Sequence, residues 1–283
     1  MKSLCIKTNN LDIINYLQKS FENINLEDTY ISIGKFKHFN NIIIHYLGNS
    51  YTKYYNYLSN TITKAIINFF EETLIHDNIN LNYFYFTSLE KKKILENTLN
   101  LLLEKDNYNM RYDYINNSVF NYLTTNHSFY LQGFINFKLK DYIDFLNNQI
   151  DIAVNKFIID KEYIEFVNIL KLYIKSESEN SKIEHLHLIY KDKTSIIIDN
   201  NKNIVTCNDN IKKSKYISDI SFSSNDFALN TLLNLLPKKL TIHLVNGYCD
   251  EFINTLKLIF NEQISICEDC DMCNLYKYKI IKQ

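Results

Sequence analysis

Cys267, Cys270 and Cys273 stand as Cys-x-x-Cys-x-x-Cys, with Glu268, Asp269 and Asp271 between them. Thiols this close can wrap one soft metal ion, because a tight turn brings successive sulfurs within coordination reach. Three thiolates leave a tetrahedral ion one ligand short. The interspersed acids raise thiol pKa values, so a thiolate cluster here needs a cation. Without one, the triplet is a redox-sensitive loop or an ordinary turn. His185 and His187 alternate with Leu186 and Leu188, which puts both imidazoles on one face of a strand, and His243 falls on another strand of the same region. Three such histidines could hold a metal or exchange protons, but more often they line the wetter face of a sheet. Asp141, Asp144 and Asp151 share one side of a helix with Asn148 and Asn155, and that composition reads as a solvated face.

The elements around the triplet suggest its fourth ligand. Leu240–Val245 reads as a strand, Asp250–Phe260 as a helix and Gln263–Ile266 as a strand, a βαβ crossover whose strands run parallel. Their C-terminal ends then share one edge. Asn246, Gly247, Tyr248 and Cys249 leave the first end, and Cys267 leaves the second. Cys249 also begins a helix, where the dipole favours thiolate. The expectation is a four-thiolate zinc or iron–sulfur site of Cys249, Cys267, Cys270 and Cys273, with no catalytic residue assigned. The chain has only four glycines, and it carries no glycine-rich phosphate loop, His-Glu-x-x-His or Gly-x-Ser-x-Gly.

The rest of the chain reads as α+β in three parts. Residues 1–50 form a small β-α-β-β unit: a strand over Leu4–Thr8, a helix over Asn10–Ile24, and strands over Thr29–Phe36 and Ile42–Leu47 joined by a turn at Asn40-Asn41. Residues 51–180 form a helical bundle. Its centre is one long helix over Ser128–Ile159, where Leu131, Ile135, Leu139, Tyr142, Leu146, Ile150, Ala153 and Phe157 recur at steps of three and four. Thr87 and Glu90 have capping-box spacing, Gly133 suggests close approach of a neighbouring helix, and Phe137 is expected to be covered. A further helix carries Tyr163, Phe166, Val167, Leu170 and Ile174. Residues 181–283 form an α+β domain with a mixed sheet, with strands also expected over Asn203–Thr206 and Tyr276–Ile281.

Composition excludes several classes. The 283 residues are 46% hydrophobic with net charge −1, ordinary for a folded chain with ample core. Arg111 is the only arginine, so the bidentate forks that read phosphate or guanine are missing, and nucleic acid is not an expected partner. No apolar run is long enough to span a bilayer. The start, Met1-Lys2-Ser3-Leu4-Cys5-Ile6-Lys7, is too quickly polar for a signal peptide. Reduced thiols or metal ligands in the cytoplasm, rather than disulfides, are the expected state of the six cysteines.

Three stretches carry a resemblance: Phe36 to Tyr46 (FKHFNNIIIHY), Gly133 to Tyr142 (GFINFKLKDY), and Leu236 to His243 (LPKKLTIH) followed by the cysteine-bearing end from Cys267. In this order they resemble the YtxC-like family of sporulation proteins. The resemblance implies a cytosolic, sporulation-associated role in an endospore-forming bacterium, with no activity and no catalytic residues to transfer. The expected function is therefore non-enzymatic, through contacts with a protein partner, with a structural metal as a candidate feature. The alternative is a thiol- or metal-dependent enzyme or redox sensor using the C-terminal cysteines.

Overall fold

The computed structural model describes residues 2–22, 28–36, 39–177, 183–205 and 223–277. The chain divides into two compact units, Met1–Ile159 and Asp160–Gln283. It is an α+β protein with a mixed four-stranded sheet in each unit.

In the first unit, β1 (Lys2–Thr8) turns Leu4, Ile6 and Thr8 inward, and α1 (Leu11–Glu22) adds Ile13, Ile14, Leu17 and Phe21 to the same core. Strands β2 (Thr29–Phe36) and β3 (Phe39–Tyr46) form an antiparallel hairpin. Asn40 and Asn41 are not its turn: they pair with Lys35 and Gly34, and the ladder continues to Phe36 and Phe39. Residues 37–38 lie outside the described residues. β4 (Ser128–Tyr130) pairs parallel with β1 and completes the order β2-β3-β1-β4.

Helices α2 (Tyr51–Asn82), α3 (Ser88–Leu103), α4 (Lys105–Thr125), α5 (Leu131–Lys138) and α6 (Lys140–Glu177) follow. The apolar stripe from Leu131 to Ala153 is buried in full, yet it is not one helix. Ser128–Tyr130 is taken by the sheet, and Leu139, at φ −106° and ψ 40°, separates α5 from α6. α6 then runs on through the expected next helix, burying Val167 and Ile174 but leaving Phe166 48% exposed. Phe137 is 75% exposed and not covered by the N-terminal elements of its own unit. A Cβ at Gly133 would come within 2.6 Å of the Tyr130 ring, so the close approach comes from the preceding strand, not from a neighbouring helix.

The capping box forms as its spacing predicts. Thr87 N–H donates to Glu90 Oε2 at 2.8 Å, and Glu90 N–H donates to Thr87 Oγ1 at 3.4 Å. Thr87→Ala is expected to cost about 1 kcal/mol of stability in the first unit, read by urea denaturation. A change below a few tenths would show that the cap does not hold α3.

In the second unit, β5 (His185–Lys191) and β6 (Thr194–Ile198) form an antiparallel hairpin. β7 (Lys239–Leu244) lies parallel to β5, and β8 (Ile264–Cys267) parallel to β7, giving the order β6-β5-β7-β8. α7 (Ser224–Leu235) precedes β7, and α8 (Glu251–Phe260) is the crossover from β7 to β8. One face of the sheet presents Leu186, Leu188, Leu240, Ile242 and Leu244 to Leu232 of α7 and to Ile253, Leu256 and Ile259 of α8. On the other face, Ile189, Ile198 and Val245 meet Met272 and Tyr276 of α9 (Asp271–Lys277). The expected strand over Asn203–Thr206 reduces to one bridge, Ile198 to Ile204, and Thr206 lies outside the described residues. Tyr276 and Lys277 close α9 rather than opening a strand, because Cys273 and Met272 anchor the turn before them on the sheet. Residues 278–281 of that expected strand lie outside the described residues.

Candidate metal centre

The parallel pairing of β7 and β8 makes His243 and Cys267 direct partners across the ladder. Paired positions project from the same face, here the face on which α9 packs. The chain then turns at once into α9. The Asn274 N–H donates to the Cys270 carbonyl at 2.9 Å, and the Cys273 N–H is directed at Cys270 Sγ at 3.4 Å. This turn folds the triplet back over the strand end and onto His243.

His243 Nδ1 lies 3.3 Å from Cys270 Sγ and 3.5 Å from Cys273 Sγ. Cys273 Sγ is 3.7 Å from Cys270 Sγ and 3.9 Å from Cys267 Sγ. All four atoms fall within 4.8 Å of one another. A tetrahedral zinc, with bonds of about 2.3 Å to sulfur and about 2.0 Å to nitrogen, sets its ligand atoms about 3.5–3.8 Å apart. The four contacts cluster around those separations.

Cys249 is not part of this group. Its Sγ donates to Asn254 Oδ1 at 3.2 Å and accepts from Lys257 Nζ at 3.2 Å. The inferred crossover and its shared edge are present, but Cys249 leads into α8, and its side chain packs with the core on the α8 face of the sheet. The triplet occupies the opposite face, beneath α9. His243, on β7 itself, takes the fourth position that Cys249 was expected to fill. Cys207 lies outside the described residues.

The electrostatics suit a cation. Burial, reinforced by His187 and His185, pushes His243 down to about 4, so its ring is neutral near pH 7 and keeps a lone pair. Burial and the neighbouring thiols of Cys270 and Cys267 push Cys273 up to about 12. Burial and a hydrogen bond with Cys270 raise Cys267 above its ordinary value. At Cys270 burial opposes the thiolate, but the Cys273 N–H and the adjacent thiols outweigh it, and its pKa falls. Burial and mutual repulsion oppose three adjacent thiolates, and a positive ion would give each a charge partner.

The three histidines separate in role. His243 Nε2 lies 3.0 Å from His187 Nδ1, and His187 Nε2 lies 3.2 Å from Asn200 Oδ1. His185 does not join this row: its Nε2 is 2.8 Å from Thr241 Oγ1, which is 2.9 Å from Ser265 Oγ. The sequence held a signal for His243. Aligning apolar Leu240 and Ile242 with Ile264 and Ile266 in a parallel pair puts Thr241 beside Ser265 and His243 beside Cys267.

Fold and site together define an α+β protein with two mixed sheets, a helical layer in its first unit and a compact Cys3His group in its second. The chain belongs to the YtxC-like family, whose model matches residues 56–265. The matched span includes Gly133 to Tyr142 and Leu236 to His243; Phe36 to Tyr46 and the cysteine triplet lie outside it. Comparison with curated proteins and with solved structures gave no match. No described helix is long and apolar enough to cross a membrane.

Proposed function

We propose that this is a non-enzymatic, sporulation-associated cytoplasmic protein that acts through a protein partner, its C-terminal unit built around a structural zinc ion on His243 Nδ1, Cys267, Cys270 and Cys273. The observation carrying the metal assignment is the convergence of those four ligand atoms within 4.8 Å. Four protein ligands close a tetrahedral site and leave no position for a substrate, which favours a structural over a catalytic ion. Sulfurs 3.7–3.9 Å apart fit a single ion. An iron–sulfur cluster inserts its inorganic core between its cysteine ligands and holds them further apart. Membership of the YtxC-like family supports the sporulation-associated role. Arg111 is buried against Glu71, so the only guanidinium is withdrawn from any nucleic-acid surface.

The test is to purify the chain anaerobically without a metal-affinity tag and measure zinc, iron and sulfide against protein. About one zinc per chain supports the reading. Iron with sulfide shifts it to redox chemistry or sensing. No metal, even after reconstitution, removes it.

A further inference from the structure

The hydrogen-bonded row behind His243 has a direction that can be derived. The Asn200 side-chain oxygen can only accept, so the hydrogen in the 3.2 Å contact sits on His187 Nε2. In a neutral ring that leaves His187 Nδ1 as an acceptor. The 3.0 Å contact must then be a donation from His243 Nε2–H. His243 is left with a bare Nδ1, the atom facing Cys270 and Cys273. Run the other way, the row would aim an N–H at the sulfurs and bar a metal from that nitrogen.

We propose that His187 and Asn200 are the positioning residues of the metal centre, fixing His243 in the Nε2–H tautomer so that Nδ1 binds the ion. This rests on the zinc reading above. A metal-bound histidine commonly donates its other N–H to a carboxylate, a backbone carbonyl or water. An imidazole backed by an amide orients the ring through its hydrogen bonds and adds no negative charge beside three thiolates. The row also ties the ion to more than the turn that carries the cysteines. Its ligands come from β7, β8, the turn at Cys270 and α9, and the hydrogen bonds continue to His187 on β5 and to Asn200, two residues past the end of β6.

Zinc affinity is measured on the whole chain by competition with a chromophoric chelator, for the natural protein and for His187→Leu, His187→Gln and Asn200→Ala. Losing the acceptor in His187→Leu should weaken zinc binding about 10- to 100-fold. His187→Gln keeps an oxygen to accept from His243 and an N–H to donate onward, and should recover most of that loss. Asn200→Ala should weaken binding less, in the same direction. Nitrogen-15 NMR of the zinc-loaded natural protein should show His243 protonated at Nε2 and metal-bound at Nδ1. Zinc binding by the natural protein with His187→Leu within twofold of it overturns the positioning role alone, as does His243 bound through Nε2. A natural protein that takes no zinc overturns the metal reading and this inference together. Should His187→Leu fail to fold, the His187→Gln and Asn200→Ala affinities and the tautomer decide: affinities equal to the natural protein's or the wrong nitrogen overturn the inference, and the pattern above supports it.

Discussion

Cys273→Ser should lower bound zinc from about one ion per chain to background and destabilise the Asp160–Gln283 unit while sparing the Met1–Ile159 unit. Cys273 is fully buried and touches each of the other three ligand groups or their backbone, so its loss dismantles the centre rather than loosening one corner. A ligand present at a thousand times its dissociation constant stabilises the state that binds it by ~4 kcal/mol. Because the second unit has an apolar core of its own, it should survive in weakened form rather than unfold outright, unlike a small zinc finger. Differential scanning calorimetry should therefore show one transition moved down by many degrees and the other unmoved, and a chelator should reproduce the shift in the natural protein. Cys249→Ser is the matched control. Its thiol serves Asn254 and Lys257, so zinc content should not change. If Cys249→Ser loses zinc as Cys273→Ser does, while His243→Ala keeps it, the four-thiolate set expected from the sequence is the correct one. A folded Cys273→Ser protein of normal stability that loses its cellular role would favour the enzyme or sensor reading.

The ligand set shows where reading a sequence stops. The βαβ crossover was legible because helix and strand periods differ and parallel strands must end on a common edge; β7, α8 and β8 fall within a residue or two of the expected bounds. Edge and face are separate questions. The edge follows from chain direction, but the face follows from which side each connecting element takes. α8 lies on one face and α9 on the other, and nothing local to Cys249 says that α8 takes the face opposite the triplet. The central stripe shows the same limit. Its buried residues were read correctly from spacing, but Leu139 keeps its place in the stripe across a break between two helices, so periodicity passes over the interruption. Ser128–Tyr130 was read as helix because three residues carry too little pattern to show a strand whose pairing is with β1, more than a hundred residues earlier.

Arg111→Met is expected to be among the most damaging single changes in the first unit, and its cause lies in charge rather than shape. Arg111 and Glu71 are 3% and 7% exposed, with Nε 2.9 Å from Glu71 Oε2 as an ion contact, although the N–H is not aligned as a hydrogen bond. Arg111 Nη1 donates to the Leu102 carbonyl, the guanidinium lies 5.0 Å from the centre of the Tyr108 ring, and the Tyr142 hydroxyl donates to Glu71 Oε2 at 2.8 Å. Burial already raises the Glu71 carboxyl above its ordinary value, while Arg111 and Tyr142 hold it down. Removing the cation leaves a buried carboxylate opposed only by a phenol, which costs about 3–5 kcal/mol near pH 7. The pH dependence follows from the sign of that shift. A carboxyl whose folded pKa is raised carries no penalty below its unfolded value of about 4.3, where both states are protonated. The penalty grows as pH rises toward the folded pKa and is complete above it. The gap between Arg111→Met and the natural protein, measured by urea denaturation, should therefore be larger at pH 8 than at pH 5. Adding Glu71→Leu should recover much of the loss, because an apolar pair can replace a buried ion pair at little cost. Recovery stays incomplete, since the Tyr142 hydroxyl then loses its acceptor, worth about 1–3 kcal/mol. A gap independent of pH, or a double variant as weak as the sum of its parts, would show that Arg111 matters through packing of its stem and not through its charge.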